Sequence, residues 1–112
     1  PFYLGAVEIL DPLVPAFKIA SGDNDFIPLL KAVAETRKPI LLSTGMSDLS
    51  TIAESVRTID TFWRDFEEAE VPGIALLHCV SSYPTAMSDA NIGFLKLGAA
   101  TPPHTYVESL IC

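Results

Sequence analysis

Lys18 sits inside a short apolar run, Ala16-Phe17-Lys18-Ile19-Ala20, which breaks at once into Ser21-Gly22-Asp23. A strongly hydrated ammonium in a buried strand must be satisfied, because an unpaired buried charge is costly or neutralises itself. Near the carboxyl end of a barrel strand, such a lysine offers its charge to a phosphate or a carboxylate. On an edge strand the same lysine simply faces water, and this segment alone leaves both readings open.

The same grammar recurs twice. Lys38-Pro39-Ile40-Leu41-Leu42-Ser43-Thr44-Gly45-Met46 is an apolar strand ending in hydroxyls and a glycine, and so is Ile74-Ala75-Leu76-Leu77-His78-Cys79-Val80-Ser81-Ser82-Tyr83. Near-continuous apolar runs mark strands covered on both faces, as in parallel α/β sheets. Each run ends in small polar residues that suit a loop facing a ligand.

Helical patterns alternate with these strands and must position their ends. Leu4, Val7, Leu10 and Leu13 form a short amphipathic stripe ended near Pro12 and Pro15. After the first strand, Asn24 or Asp25 can cap a helix whose first turn tolerates Pro28, with Phe26, Leu29, Leu30 and Val33 as its apolar face. After the second, Ser47 or Asp48 caps the clearest helix, in which Leu49, Ile52, Val56, Ile59, Trp63 and Phe66 follow a 3–4 spacing. Glu67, Glu68 and Glu70 crowd its expected last turn and oppose the helix dipole, so fraying is expected there. Val71-Pro72-Gly73 then punctuates the chain before the third strand.

Alternating strands and helices mean βαβ units and a parallel sheet. No Gly-x-Gly-x-x-Gly follows any strand and no P-loop is present, whereas Ser21-Gly22, Ser43-Thr44-Gly45 and Ser81-Ser82 spread polar residues over several strand ends. That distribution is barrel behaviour. The expected fold class is therefore α/β, a partial (β/α)₈ TIM barrel of three βα units with parallel strands, led by one helix. A whole barrel needs about 250 residues, so the 112 here would hold under half of one.

Composition narrows the function. Hydrophobic residues make up 49% and charged residues 19%, enough apolar content for a core. Seven basic against fourteen acidic residues give −7, which argues against nucleic acid and an anionic membrane surface. No apolar run approaches the roughly 18 residues of a spanning helix. Cys79 and Cys112 read as buried thiols, which points to a reducing cytoplasm.

Pro1-Phe2, Val14 to Asp23, Lys38 to Met46 and Leu76 to Thr85, in this order and spacing, resemble the sialic acid (N-acetylneuraminate) synthase family, shared with legionaminic and pseudaminic acid synthases. The resemblance covers roughly residues 1–92. It implies a transferase of sialic acid biosynthesis that condenses phosphoenolpyruvate with an N-acetylated sugar, N-acetylmannosamine or its 6-phosphate, and releases phosphate. It also implies Mn²⁺ or Mg²⁺ as cofactor, small-molecule substrates, and a homodimeric full-length parent. Lys18, Ser21, Gly22 and Ser43 match the phosphoenolpyruvate-binding positions, the ammonium acting as a point charge and the hydroxyls as donors. Asp23, Ser81, Tyr83 and Phe2 match positions facing the sugar; Asp23 stands where relatives often carry the longer glutamate.

Bland readings stand beside these. Ser43-Thr44-Gly45 could be a turn leading to a helix cap, and Tyr83 before Pro84 a packing residue. His78 lies in an apolar run with no histidine near it in sequence, so it reads as a core or supporting histidine rather than a metal ligand. Asp60 and Glu54 read as solvated. The family's metal histidines lie beyond the matched residues, one in a Ser-Asp-His-like motif that is not found after about Ile92; His104 follows Pro102-Pro103 and is given no metal role. The expected organisation is a central part of a synthase barrel over 1–95 and a divergent or irregular tail over 96–112. A non-catalytic remnant, or a weak phosphate-binding fragment of marginal stability, is the competing expectation.

Overall fold

The computed structural model describes residues 1–67, 70–80, 82 and 86–89, and the strand formed by 105–108. Four strands, β1 (Phe17–Ile19), β2 (Ile40–Ser43), β3 (Ile74–Leu77) and β4 (Thr105–Glu108), lie side by side in sequence order. Each neighbouring pair is parallel. Helix α1 (Leu4–Leu10) precedes β1, α2 (Ile27–Glu35) joins β1 to β2, and α3 (Leu49–Trp63) joins β2 to β3. The fourth strand corrects the sequence reading, which placed no strand in 96–112. Only four residues long and preceded by two prolines, it carries little local signal, and its pairing with β3 defines it.

Strand alternation sorts the side chains. Phe17, Ile19, Ile40, Leu42, Ile74 and Leu76 are buried and meet Leu29, Leu30 and Val33 of α2 and Ile52, Val56, Ile59 and Trp63 of α3. Burial of one such side chain contributes about 1.5–3 kcal/mol, far more than any intrinsic preference of a strand three residues long. Intervening positions on the other face are less covered: Lys18 is exposed, and Leu41 and Ala75 are half-buried. The expectation of strands covered on both faces thus holds fully for the helix side only.

Each helix has a definable start and stop. Asp48 caps α3 by accepting from the Thr51 amide at 2.8 Å, as its position before Leu49 suggests. In α2, Pro28 occupies the first turn, where no amide hydrogen is needed, and Phe26 stands at the cap with no side-chain bond. Neither Asn24 nor Asp25 caps this helix, contrary to the sequence reading; Asn24 is turned inward instead. Phe26 is exposed rather than part of the apolar face. Arg37 closes α2 in the left-handed region at φ 57, its guanidinium 4.3 Å from the centre of the Phe66 ring. Trp63 donates its indole N–H to the Ala34 carbonyl at 3.1 Å, tying the end of α3 to the end of α2.

Helix α3 stops at Trp63, so Glu67 and Glu70 follow the helix rather than load its last turn. Glycine at 73 takes φ 93 just before β3, and its carbonyl accepts from Ile40 N at 3.2 Å. At the same end of the sheet, Lys38 pairs with the Asp11 carboxylate at 2.8 Å and also reaches the Asp11 carbonyl. In α1 only Val7 is buried outright and Leu4 is exposed, as is Leu13 in the 3₁₀ turn Asp11–Leu13 that follows.

The Thr51 amide, with the hydroxyl of Ser50, holds the Asp48 carboxyl below its ordinary value of 3.8. A depressed folded pKa stabilises the fold above the unfolded pKa, and that contribution is lost as pH falls through the folded value. Asp48→Ala should therefore lower the thermal midpoint near neutral pH, with the gap to the parent closing in acid below the ordinary carboxylate range. Circular dichroism melts across pH check this; a gap of constant size at all pH values would show that the cap does not act through its charge.

Candidate functional site at the strand ends

The carboxyl ends of β1 and β2 carry the polar residues singled out by type. Phe17 and Ile19 are buried under the helices, so Lys18 is forced to the opposite face, level with Leu41 of β2. Among the described residues Lys18 enters no ion pair. Beyond β1 the chain tightens into a 3₁₀ turn, Ser21–Asp23, in which Asp23 N donates to the Ala20 carbonyl at 3.0 Å. Ser43 ends β2, is 3% exposed, and by alternation shares the face of Leu41 and of Lys18. It pairs with Leu77, which is buried but lies outside the main core, as expected for a residue on that same face.

Buried hydrogen bonds tie these ends together. Gly45 N donates to Ser21 Oγ at 3.1 Å, joining the two turns. Asn24, 2% exposed, donates its amide to the Ser43 carbonyl at 2.9 Å and to the Gly45 carbonyl at 3.5 Å. Its Oδ1 accepts from the Ser47 hydroxyl at 2.8 Å, and its main-chain carbonyl accepts from the Ser55 hydroxyl at 2.6 Å. Thr44 donates both its amide, at 3.0 Å, and its hydroxyl, at 2.9 Å, to the Leu77 carbonyl, joining β2 to β3. Met46 follows in the left-handed region at φ 62 with its side chain 80% exposed, a conformation uncommon outside glycine.

The structure thus brings Lys18, Ser21, Gly22, Asp23 and Ser43 to one end of two adjacent strands. Gly22 borders open space: a Cβ built there meets no atom within 4 Å. Asp23 is half-buried in the same turn. Phe2 precedes α1 with 79% of its surface exposed, and no described contact joins it to the strand-end group. Ser81 and Tyr83 lie outside the described residues, as do His104 and Cys112. His78 is half-buried just past β3, less enclosed than a core histidine, and Cys79 is a buried free thiol. Asp60 approaches Arg64 at 4.0 Å, and Glu54 is exposed.

Sequence reasoning missed Asn24, Ser47 and Ser55 as parts of this end of the sheet. Ser55 alone left a signal: it falls on the buried arc of α3, between Ile52 and Ile59, where the period calls for an apolar residue. Among the described residues no three His, Cys, Asp or Glu side chains gather as a metal centre requires. The donors described here therefore do not fit the divalent ion implied by the resemblance. A groove of about 620 Å³ lies elsewhere, between α1 and α2, lined in part by Leu4, Glu8, Lys31 and Glu35. Among the described residues no helix is long and apolar enough to cross a membrane.

A parallel βα array whose polar residues collect at the carboxyl ends of successive strands is part of a (β/α)₈ barrel. The chain belongs to the NeuB family, whose model matches residues 1–100. It is 50% identical over 97 residues to an uncharacterised protein of Methanocaldococcus jannaschii, a match covering 86% of this chain and 27% of that one. It is 38% identical over 93 residues to the N-acetylneuraminate-9-phosphate synthase of Drosophila melanogaster, covering 82% and 23% respectively. The crystal structure of the spore coat polysaccharide biosynthesis protein SpsE of Bacillus subtilis superposes with a TM-score of 0.78 at 34% identity, covering 94% of this chain and 28% of that one. The chain thus spans about a quarter of the length of the relatives it matches.

Gly22→Ala tests whether packing or approach explains that glycine. With open space at the Cβ position and no left-handed φ there, the substitution should leave the thermal midpoint unchanged or slightly raised, because it also restricts the unfolded chain. A clear drop in midpoint would show that the fold itself requires glycine at 22.

Proposed function

We propose that this chain forms the phosphoenolpyruvate-binding side of a nonulosonic acid synthase of the sialic acid type. The observation that carries the reading is the convergence of Lys18, Ser21, Gly22 and Ser43 at the carboxyl ends of two adjacent parallel strands, with Lys18 on the face opposite the helices. Family membership and the similarity to a named N-acetylneuraminate-9-phosphate synthase support the same reaction class.

In that reaction the methylene carbon of phosphoenolpyruvate forms a new bond to the aldehyde carbon of an open-chain N-acetylated sugar. Water adds to the former enol carbon, and the resulting tetrahedral centre expels inorganic phosphate to leave a keto acid. The groups on this chain bind and orient one partner. The Lys18 ammonium balances phosphate charge, the Ser21 and Ser43 hydroxyls donate to anionic oxygens, and Gly22 lets the ligand approach the backbone. Asp23 and Phe2 are proposed to face the sugar, together with Ser81 and Tyr83. Mn²⁺ or Mg²⁺ would belong to residues other than those described. The parent enzyme is proposed to be a cytoplasmic homodimer acting on small molecules.

A second reading concerns these residues taken by themselves: they are proposed to bind phosphoenolpyruvate without turning it over, through the same side chains. Both readings require Lys18. A charge-assisted contact is worth about 1.5–3 kcal/mol, so Lys18→Ala should raise the dissociation constant for phosphoenolpyruvate about 10- to 150-fold. Calorimetric titration of the chain measures this, and an unchanged constant would refute the role of Lys18. Phosphate release in the presence of N-acetylmannosamine and Mn²⁺ separates the two: turnover supports the synthase reading for the chain itself, and binding without turnover supports the second.

A further inference from the structure

The geometry points to Asn24 as the positioning residue that orients the Ser21 hydroxyl as a donor toward a bound phosphate or carboxylate. This rests on the proposed anion-binding role of Lys18, Ser21 and Ser43. A serine hydroxyl has one hydrogen to give and two lone pairs to accept with. Ser21 Oγ already accepts from Gly45 N at 3.1 Å, so its own hydrogen must point away from that amide. Among the described residues nothing accepts that hydrogen. The site therefore offers a pre-aimed donor on the turn where Gly22 opens to free space.

Gly45 N is in place because Asn24 grips the segment on either side of Thr44. One amide nitrogen serves the Ser43 and Gly45 carbonyls together, at 2.9 and 3.5 Å. That nitrogen faces two acceptors while Oδ1 faces a hydroxyl, so the chemistry of its partners leaves only one orientation of the amide. Ser47 locks it with a hydroxyl bond of 2.8 Å, and Ser55 holds the Asn24 main chain at 2.6 Å from the first half of α3. Asn24 thereby couples the turn after β1, the end of β2 and helix α3, without touching the ligand itself. Met46, held at φ 62 immediately beyond, shows how closely this segment is constrained.

Ser47→Ala is the gentler test, since it frees the amide without placing a new group in the buried site; Asn24→Asp removes the donor while keeping the shape. Calorimetric titration with phosphoenolpyruvate should show binding weakened on the order of 3- to 10-fold for each. In a Ser21→Ala background, Ser47→Ala should add no further loss, because its effect passes through Ser21. Amide spectra of the labelled chain should show the Gly45 N–H signal moving in Ser47→Ala, while melting followed by Trp63 fluorescence stays cooperative with a midpoint lowered only by the lost bond to Asn24 Oδ1. Should Asn24→Asp fail to fold, Ser47→Ala alone carries the decision. Equal losses in both backgrounds, or parent-like binding by Ser47→Ala, would overturn the positioning role. A parent chain that does not bind phosphoenolpyruvate, or binds it independently of Lys18, would instead overturn the anion-site reading beneath it.

Discussion

Alternation along β1 is the constraint on which everything else in this molecule depends. Phe17 and Ile19 must leave water, and among the described residues the helices shelter them, chiefly α2 and α3. With a period of two, the residue between them is driven to the other face. That residue is Lys18, and the parallel register with β2 sets it level with Leu41 and one alternation below the row that ends in Ser43. A one-residue slip would place the ammonium in the apolar layer and expose both large side chains, so the register is strongly specified.

The two ends of the sheet are held by different chemistry. At the amino end, Lys38 pairs with Asp11 and Gly73 allows the left-handed turn into β3. These are contacts that keep the array together. At the carboxyl end the ties are neutral, buried and mutual: Asn24 to Ser43, Gly45, Ser47 and Ser55, and Thr44 to Leu77. Neutral ties hold the loops without consuming the nearby ammonium, so Lys18 stays available to an anion. A buried network of this kind is rigid when complete and costly when one member is lost. Such rigidity suits a site whose task is to bind and orient a charged ligand.

Much of the fold was legible because its strongest signals are local. Ile52, Val56, Ile59 and Trp63 mark α3 by period alone, and Asp48 marks its start by type and position. The strand ends were legible because Ser21-Gly22 and Ser43-Thr44-Gly45 interrupt apolar runs. What stayed hidden is non-local. Asn24 has the look of a helix cap, being a short amide ahead of a helix with proline in its first turn. Its true partners, Ser43 and Ser55, lie 19 and 31 residues away. Strand β4 gave no sign for the same reason, since it is defined by a partner strand rather than by its own pattern. The exposed stripe of α1 shows the converse, a clear local period of which only Val7 is deeply buried.

The most direct measurement of the central claim is a crystal structure of the chain with phosphoenolpyruvate bound. The account predicts the ligand at the carboxyl ends of β1 and β2, with an anionic oxygen within hydrogen-bond distance of both Lys18 Nζ and Ser21 Oγ. Phosphoenolpyruvate seated elsewhere, such as in the groove between α1 and α2, with Lys18 left in solvent, would contradict it.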